Sequence, residues 1–274
     1  MLSIITSVYN QRAMNELFYS SLCRHTKSDF ELIVIDNGST DGSREYFLSK
    51  PNVKLIQNKG NFNYPYCQNI GIEHAKNDIL CFFNNDILVT QNWDKYILQA
   101  LDEDSRLQIL SVSTNDHLES KSRLKTLSRK WKRIKYPIQM VFGNSKFSLK
   151  LMCKLMYGNL NHFADKRYKT FGLKRIEGYS GSAIIAKKRL MYDIGKWDEQ
   201  IQSADFDLFN KVKKNSLVNN NICPIQMVLG VYFHHFQRLT VKTKYPPFVN
   251  RHTMINLVEK WGNETSELRK DIVG

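Results

Sequence analysis

Features that would assign the chain to a membrane or to an oxidising compartment are missing from its sequence. Its 274 residues contain no apolar run that approaches the roughly 20 residues of a membrane-spanning helix. The N-terminal stretch MLSIITSVYN has neither a basic region nor a small-residue cleavage site, so it predicts a strand and not a signal peptide. The few cysteines, with no CxxC pair, are Cys23, Cys67, Cys81, Cys153 and Cys223. That pattern is typical of free thiols in a reducing compartment, and we expect a cytoplasmic protein.

Acidic residues are nearly absent from one segment of the chain. Residues 120–176 hold 16 lysines and arginines and a single acid, Asp165. Of the 40 basic and 26 acidic residues in the whole chain, 24 and 25 lie outside this segment. The segment therefore has a net charge of +15 and the rest of the chain −1, which together give the +14 of the whole chain. Such an excess predicts a polyanionic partner, which is an anionic membrane surface, an anionic glycan or a nucleic acid.

The first half of the chain alternates strand-like and helix-like segments. With 42% hydrophobic and 12% aromatic residues, the composition excludes a disordered protein. Apolar strands separated by helices favour an α/β fold with a mostly parallel sheet covered on both faces. Ligands of such sheets bind beyond the carboxyl ends of the strands. The predicted strands are 2–8, 31–36, 53–57, 79–84 and 107–113, and the predicted helices lie near 12–25, 43–49, 66–76 and 92–102.

The basic segment interrupts this alternation. An apolar stripe recurs there at three- and four-residue intervals, and a stripe of lysines follows it. The spacing predicts two basic amphipathic helices, divided near Pro137 and Gly143. Strand character then returns over 177–188 and 225–233, with helices over 204–215 and 249–261. The apolar stripe is Leu124, Leu127, Trp131 and Ile134, and the lysine stripe is Lys146, Lys150 and Lys154.

Polar residues follow two of the predicted apolar strands. Asp36 and Asn37 open the loop DNGSTDGS, which suits either an ordinary turn or hydrogen bonding to a nucleobase or ribose. Asn84, Asn85 and Asp86 follow the strand over 79–84. Mg²⁺ and Mn²⁺ prefer oxygen ligands and are commonly held by one or two carboxylates plus substrate phosphates. The three polar residues are therefore explained either by a metal site at Asp86 or by an ordinary turn.

Two further clusters lie in the second half. Asp205 and Asp207 lie at the start of a predicted helix, where the helix dipole favours negative charge. Capping of the helix N-terminus therefore accounts for the presence of both acids, and it is the favoured explanation for Asp207. Asp205 is the better candidate for a general base. His234 and His235 end an apolar strand, and neighbouring residues of a strand point to opposite faces, so at most one of them faces a site. A core or surface histidine is as good an explanation as a metal ligand.

Taken together, these segments resemble the nucleotide-binding half of the family 2 glycosyltransferases with the GT-A fold. Their order and spacing match over roughly 1–115 and 177–236. The matching segments are SIITSVYN (3–10), ELIVIDNGSTDGS (31–43), NKGNFNYPYCQNIGIEHA (58–75), FFNNDILV (82–89), GYSGSAIIAKK (178–188) and GKWDEQIQSADFDL (195–208). The resemblance implies one GT-A domain over 1–274. Its parts are a Rossmann-like nucleotide-sugar-binding half (1–115), a basic helical insertion (117–176) and an acceptor-binding, catalytic half (177–274).

The resemblance also implies roles for the matching residues. Asp86 would bind Mn²⁺ or Mg²⁺, one of His234 and His235 would complete the metal site, and Asp205 would be the catalytic base of an inverting enzyme. Two positions depart from the family pattern, since Asn84 replaces the first acid of the metal motif and Ala204 replaces a glutamate before the base. The residues implied to hold the base and ribose of the donor are Ser7, Tyr9, Asp36 and Asn37, with Asn84 and Asn85 beside them.

The implied activity is sugar transfer from a nucleotide-diphosphate sugar to an acceptor hydroxyl. The expected acceptor is a bacterial surface polysaccharide or lipopolysaccharide, in lipid-linked form. The basic segment, residues 120–176, would lie on the inner face of the plasma membrane, with the Trp131 stripe as an interfacial helix. Alternatively, the stripe packs on the core and the cations face a soluble polyanion, or the segment is a solvated, lysine-rich surface. Two alternatives stay open, a sugar transferase acting on nucleic acid and a degenerate, non-catalytic nucleotide-sugar-binding protein. In the first, the same cations would contact phosphates.

Overall fold

A mixed β-sheet forms the centre of the computed structural model, which describes residues 1–237, 239, 245–270 and 272. Within these residues nine strands alternate with helices along the chain. The strands are β1 (Leu2–Val8), β2 (Phe30–Asp36), β3 (Val53–Gln57), β4 (Ile79–Phe83), β5 (Ile87–Leu88), β6 (Ile109–Thr114), β7 (Arg175–Glu177), β8 (Ala183–Lys187) and β9 (Gln226–His235).

Helices cover the sheet and build the basic segment. The helices of the first half are α1 (Arg12–His25), α2 (Ser43–Leu48), α3 (Tyr64–His74) and α4 (Trp93–Glu103). Those of the basic segment are α5 (Lys121–Phe142), α6 (Lys146–Tyr157) and α7 (Leu160–Phe171). Those of the remainder are α8 (Lys188–Asp193), α9 (Ala204–Val218), α10 (Leu257–Trp261) and α11 (Glu264–Leu268).

The strand order is β3-β2-β1-β4-β8-β6-β9-β5, with β7 paired to β9. Strands β1 to β4 are parallel, and β8 runs antiparallel between β4 and β6. In register, Val8 lies opposite Asp36, so β1 and β2 end at the same edge of the sheet. This arrangement confirms the predicted α/β fold and brings the polar loops after β1, β2 and β4 together.

Successive residues of β1 enter different apolar layers. Ile4 packs in the layer that holds Leu32, and Ile5 packs in the opposite layer with Ile33. Helix α3 lies directly on this second face because Gly71 has no side chain, and a Cβ there would overlap Ile5. Burial on both faces explains why these strands are continuous apolar runs.

The basic segment differs from the prediction in two ways. Helix α5 continues through Pro137 and ends only at Gly143, whose φ of 59° lies in the left-handed region. Proline forfeits one backbone hydrogen bond, which the packing of a 22-residue helix outweighs. A third helix, α7, was not predicted; its buried face includes Arg167, which pairs with Glu119 at 2.7 Å. Helix α7 was missed because the buried, ion-paired Arg167 interrupts the apolar periodicity from which a helix is predicted.

The apolar stripe of α5 faces the protein interior, which corrects its prediction as an interfacial face. Trp131 is only 1% exposed and packs with Leu149, Met152 and Phe236. Leu127 and Ile134 pack against the same cluster. The stripe is therefore the face by which α5 joins the core, and its tryptophan is inaccessible to a lipid surface.

The predicted C-terminal helix over 249–261 is also wrong. A short 3₁₀ turn covers Arg251–Thr253, and α10 begins afresh at a capping box formed by Asn256 and Glu259. Gly262, with a φ of 52°, ends α10. In the described part of the chain, every helix is too short or too polar to cross a membrane.

Candidate active site

A cavity of about 430 Å³ opens at the carboxyl ends of β1, β2 and β4. Because these parallel strands end at one edge, the loops that follow them converge there. Six residues expected from the sequence to bind the donor or its metal line this donor cavity, and they are Ser7, Tyr9, Asn37, Asn84, Asn85 and Asp86.

Asp36 supports the donor cavity from beneath. Its side chain is buried, with Oδ1 accepting a hydrogen bond from the Ser39 amide at 3.0 Å and Oδ2 paired with Arg44 Nε at 3.0 Å. Both carboxylate oxygens therefore have partners within the protein. The structure places Asp36 as an organiser of the loop after β2, and a contact to the donor stays a prediction.

Asn37 and Asn85 tie the donor cavity to the surrounding loops. Asn37 donates to the Phe62 carbonyl at 3.0 Å and accepts from Asn58 Nδ2 at 2.7 Å. Asn85 donates to Asn15 Oδ1 at 2.7 Å, which links the loop after β4 to α1. These bonds hold the cavity walls in place before a ligand enters.

The C-terminal segment supplies a wall that sequence reasoning missed. Tyr245 and Phe248 line the donor cavity, and Tyr245 lies 5.2 Å from Tyr9, ring centre to ring centre. Asn61 fixes this segment by donating to the Pro246 carbonyl at 2.7 Å and accepting from the Val249 amide at 2.8 Å. A cluster of aromatic rings far apart in the chain could not be recognised from local patterns.

Asp86 and His235 approach each other at the edge of the donor cavity. Asp86 Oδ1 lies 3.2 Å from His235 Nε2, and the Phe236 amide donates to the Asp86 carbonyl at 2.8 Å. Oδ1 is buried, and its ion pair with His235 is its contact to a charged group among the described residues. A buried carboxylate oxygen in that state suits a cation.

Asp116, which sequence reasoning missed, holds the other side of His235. Its Oδ2 lies 2.9 Å from His235 Nδ1, and its Oδ1 accepts a hydrogen bond from the Thr114 hydroxyl. Burial disfavours a charged imidazole, but the carboxylates of Asp86 and Asp116 outweigh it and hold the pKa of His235 well above its ordinary value. Asp116 follows β6, so the rule applied to the other strand ends would have found it.

His234 faces away from Asp86, so of the two histidines that were candidates for one metal ligand it is not the one that faces the site. It is fully buried, with Nδ1 2.9 Å from the Tyr157 hydroxyl and its ring edge-on to Trp131 at 4.9 Å. Burial lowers the pKa of His234 to about 3. The helices of the basic segment enclose it, so it belongs to the core and His235 alone faces the site.

The residues present fit a Mg²⁺ or Mn²⁺ ion that is shared with a phosphate ligand. Within the described residues, no three His, Cys, Asp or Glu side chains are grouped so as to hold a metal by themselves. Adjacent ligands of an octahedral ion, at about 2.1 Å from it, lie about 3 Å apart. The 3.2 Å between Asp86 Oδ1 and His235 Nε2 matches that spacing. The Nδ1 contact to Asp116 is the arrangement that orients metal-binding histidines.

A second cavity of about 270 Å³ adjoins the first. We call it the acceptor-side cavity; Asp205 and His235 both line it, as does Asp116. Burial raises the pKa of Asp205 above its ordinary value, and the backbone amides of Asp205 and Phe206 counter this in part. The two cavities share Tyr64, Asn84 and Gln202.

Gly181 makes room for Asp205. A Cβ built on Gly181 would overlap the carboxylate of Asp205, so any other residue would displace it. Asp207, two residues further on, lies in the first turn of α9 as expected from the helix dipole, and it also has a second role. Its carboxylate accepts from Trp261 Nε1 at 2.8 Å and pairs with Lys260 at 2.6 Å, which ties α10 to α9.

The sequence profile of the family described as Glycosyl transferase family 2 matches residues 3–156. An uncharacterized glycosyltransferase of Haemophilus influenzae is 30% identical over 111 residues, which are 40% of this chain and 37% of that protein. Chondroitin synthase of Escherichia coli is 23% identical over 206 residues, 73% of this chain and 30% of that one. The aligned region thus spans about a third of the length of these curated relatives.

Two solved structures share the fold. The mannosyltransferase PcManGT from Pyrobaculum calidifontis, in complex with GDP-Man and Mn²⁺, has a TM-score of 0.53 at 14% identity, covering 89% of this chain and 58% of that one. S. aureus TarS in complex with UDP-GlcNAc has a TM-score of 0.53 at 18% identity, covering 89% and 61%.

Proposed function

The chain belongs to glycosyl transferase family 2, and from that premise we propose that it transfers a sugar from a nucleotide-diphosphate sugar to an acceptor hydroxyl, with inversion at the anomeric carbon. One observation carries the proposal. The carboxylate of Asp205 and the imidazole of His235 line the same cavity, and Asp86 lines the adjoining one. The proposed general base, Asp205, and the proposed diphosphate-binding pair, Asp86 and His235, therefore line two adjoining cavities that can hold the sugar between them.

The donor side is assigned as follows. Ser7, Tyr9 and Asn37 bind the nucleoside, with Asn84 toward the ribose, while Asp36 keeps the loop in shape. Asp86 and His235, once Nε2 has lost its proton, would hold Mn²⁺ or Mg²⁺ beside the diphosphate. When bound, the cation neutralises the charge that develops on the leaving diphosphate. Asp116 keeps the His235 ring turned so that Nε2 faces Asp86.

Asp205 acts on the acceptor. Its carboxylate removes the proton of the acceptor hydroxyl, and that oxygen attacks the anomeric carbon on the face opposite the diphosphate. The bond from the anomeric carbon to the diphosphate oxygen breaks, and the sugar is transferred with inverted configuration. The raised pKa of Asp205 suits this role, because a base closer to neutrality accepts a proton more readily.

The acceptor is proposed to be a growing bacterial surface glycan in lipid-linked form. The similarity to a chondroitin synthase of Escherichia coli supports a glycan acceptor. The solved structures that share the fold hold GDP-Man and UDP-GlcNAc, so the donor is sought among GDP-, UDP- and dTDP-sugars. A reducing, cytoplasmic location is part of the proposal, as expected from five scattered cysteines without a CxxC pair.

A donor panel followed by a transfer assay tests the proposal. Thermal unfolding with Mn²⁺ and each nucleotide sugar identifies the donor, because a ligand at about 100 times its Kd stabilises the folded state by about 2.7 kcal/mol. Release of nucleoside diphosphate is then measured with glycan acceptors and with duplex DNA. Donor binding without transfer or hydrolysis would contradict the transferase and leave a nucleotide-sugar-binding protein. Transfer to DNA alone would replace the glycan acceptor by nucleic acid.

A further inference from the structure

The turn between α5 and α6 exposes a cluster of large apolar side chains. Phe142 and Phe147 flank the turn, are 51% and 63% exposed, and lie with ring centres 5.8 Å apart. Met140, Val141 and Tyr136 beside them are 85%, 66% and 55% exposed. We call these five residues the apolar tip. Scattered single apolar residues are normal on a surface, but a contiguous group of five marks an interaction site.

The apolar tip is held in place by the structure around it. Gly143 turns the chain with a φ of 59°, and Ser145 caps α6 by accepting from the Ser148 amide. Gln139 and Asn144 both donate to the Leu239 carbonyl, at 3.1 and 3.0 Å. The exposed rings therefore belong to an ordered helical hairpin and not to a frayed helix end.

A cationic groove lies beside the apolar tip. It is a cavity of about 430 Å³ between α1 and α6, lined by Arg24 and by the α6 lysines Lys146, Lys150 and Lys154. No acidic side chain is among the described residues that line it. Lys146 pairs with Glu16 at 2.6 Å, whereas no carboxylate of the described residues lies within ion-pair distance of Lys150 or Lys154. We call these four cations and their cavity the basic groove.

We propose that the apolar tip and the basic groove together dock the protein on an anionic lipid bilayer. Lys146 and Phe147 both lie in the first turn of α6, so the two surfaces belong to the same helical hairpin. The rings and aliphatic side chains of the tip enter the headgroup boundary, and the cations of the groove contact lipid phosphates. Aromatic and aliphatic side chains flanked by lysines are what interfacial segments present to such membranes.

Charge complementarity alone would also fit a soluble polyanion, but the apolar tip decides between them. A duplex nucleic acid is held by cations at its phosphates and makes no use of the exposed aliphatic side chains Met140 and Val141. A lipid bilayer uses both. Docking concerns a surface separate from the donor cavity, so it is measurable whether or not sugar transfer is found.

Vesicle co-sedimentation of the full chain tests the proposal. We expect binding to phosphatidylcholine vesicles with about 30% phosphatidylglycerol, much weaker binding to pure phosphatidylcholine, and release by salt. Phe142→Ser with Phe147→Ser should lower the partition coefficient at least about tenfold. Lys150→Ala with Lys154→Ala should lower it about 30-fold at low salt, since each cation contributes about fivefold.

Matched variants control for general surface effects. Leu217→Ser with Val218→Ser removes two exposed apolar residues at the end of α9, and Lys95→Ala with Arg189→Ala removes two exposed cations elsewhere. Both should bind vesicles as the wild type does, and thermal unfolding should show all four double variants folded. Absence of vesicle binding, or equal binding by the Phe142/Phe147 variant, would overturn the proposal. The proposal would also be overturned if the wild type formed a dimer that the Phe142/Phe147 variant dissociates, or if it bound duplex DNA without binding vesicles.

Discussion

The two faces of β9 at its carboxyl end differ in almost every physical respect, although the histidines that mark them, His234 and His235, are adjacent in the sequence. His235 lies between the carboxylates of Asp86 and Asp116, which raise its pKa well above the ordinary value. His234 lies against Trp131 and Tyr157, where burial lowers its pKa to about 3. We call the first the charged face and the second the apolar face.

The difference shows how a side chain's surroundings decide its chemistry. Both residues have the same ring and the same strand, so alternation along the strand alone sends one to the sheet edge and the other to the core. On the charged face the raised pKa keeps the imidazole protonated in the metal-free protein, so a metal at Nε2 would have to displace that proton. On the apolar face the imidazole is a packing element whose side chain has a single polar contact among the described residues. Each prediction below alters one face and uses the other as its reference.

Removing the acid of the charged face should have the largest effect. Asp86→Ala leaves His235 as the only protein ligand for the metal, so donor binding in Mn²⁺ should fall by more than about 100-fold, beyond detection by titration calorimetry. The unliganded protein should stay folded, because Asp116 still pairs with His235 when the Asp86 carboxylate is removed, and thermal unfolding checks this. Wild-type donor affinity in the variant would show that the metal lies elsewhere.

The second prediction concerns the base that shares a cavity with the charged face. Asp205→Asn keeps the size but removes the proton acceptor, so kcat should fall by about 10²–10⁴-fold with donor affinity nearly unchanged. Wild-type kcat should also decline on the acid side at a pH above the ordinary aspartate range, because burial raises the pKa of Asp205 and only its ionised form is a base.

Asp207→Asn is the matched control for that experiment. It weakens the contacts to Lys260 and Trp261 and should reduce stability while kcat at permissive temperature stays near the wild type. If Asp205→Asn turns over normally and Asp207→Asn does not, the base has been assigned to the wrong aspartate.

Asp116 should matter less than Asp86, because it acts through His235. Asp116→Asn keeps an oxygen near Nδ1 but removes its charge, and we expect Mn²⁺ to bind about 10–100-fold more weakly in the presence of donor. The midpoint of activation by Mn²⁺ measures this, and saturating metal should restore most of kcat. A loss of kcat that metal does not restore would place Asp116 in contact with the acceptor.

The apolar face gives the smallest effect, and it appears in stability. The unfolded chain protonates His234 near pH 6.5, whereas the folded protein does so only near 3. Between these values the unfolded state binds the extra proton, so the free energy of unfolding falls as pH falls. From pH 7 to pH 5 the wild type should lose about 2 kcal/mol more than His234→Gln in urea unfolding. Exposed His162→Gln should track the wild type.

The donor side was predictable because its information is local. A strand ends, polar residues follow, and parallel pairing brings Asn37 and Asn84 into one cavity. The position of Asp116 obeys the same rule after β6 and was accessible to it. The choice between His234 and His235 was not, because it depends on which face of β9 the helices α5 to α7 cover.

The basic segment misled for a physical reason. An apolar stripe with a tryptophan has the same sequence pattern whether it enters lipid or packs on a core. Both arrangements are stabilised because apolar surface is removed from water. Only the presence of Met152 and Phe236 opposite Trp131 settles the matter, and these come from distant parts of the chain. Tyr245 and Gly181 likewise take their places at the site through contacts that no local pattern records.

The overlap that a side chain at position 181 would create with Asp205 has an evolutionary consequence. Every single-nucleotide change of a glycine codon that yields another amino acid adds at least a Cβ. No such substitution at position 181 is therefore expected to be neutral as long as Asp205 acts as the proposed base. A substitution at 181 and a shortened residue at 205 would have to appear together. Among descendants of this chain, glycine at 181 should therefore be lost only in lineages that have also abandoned the aspartate.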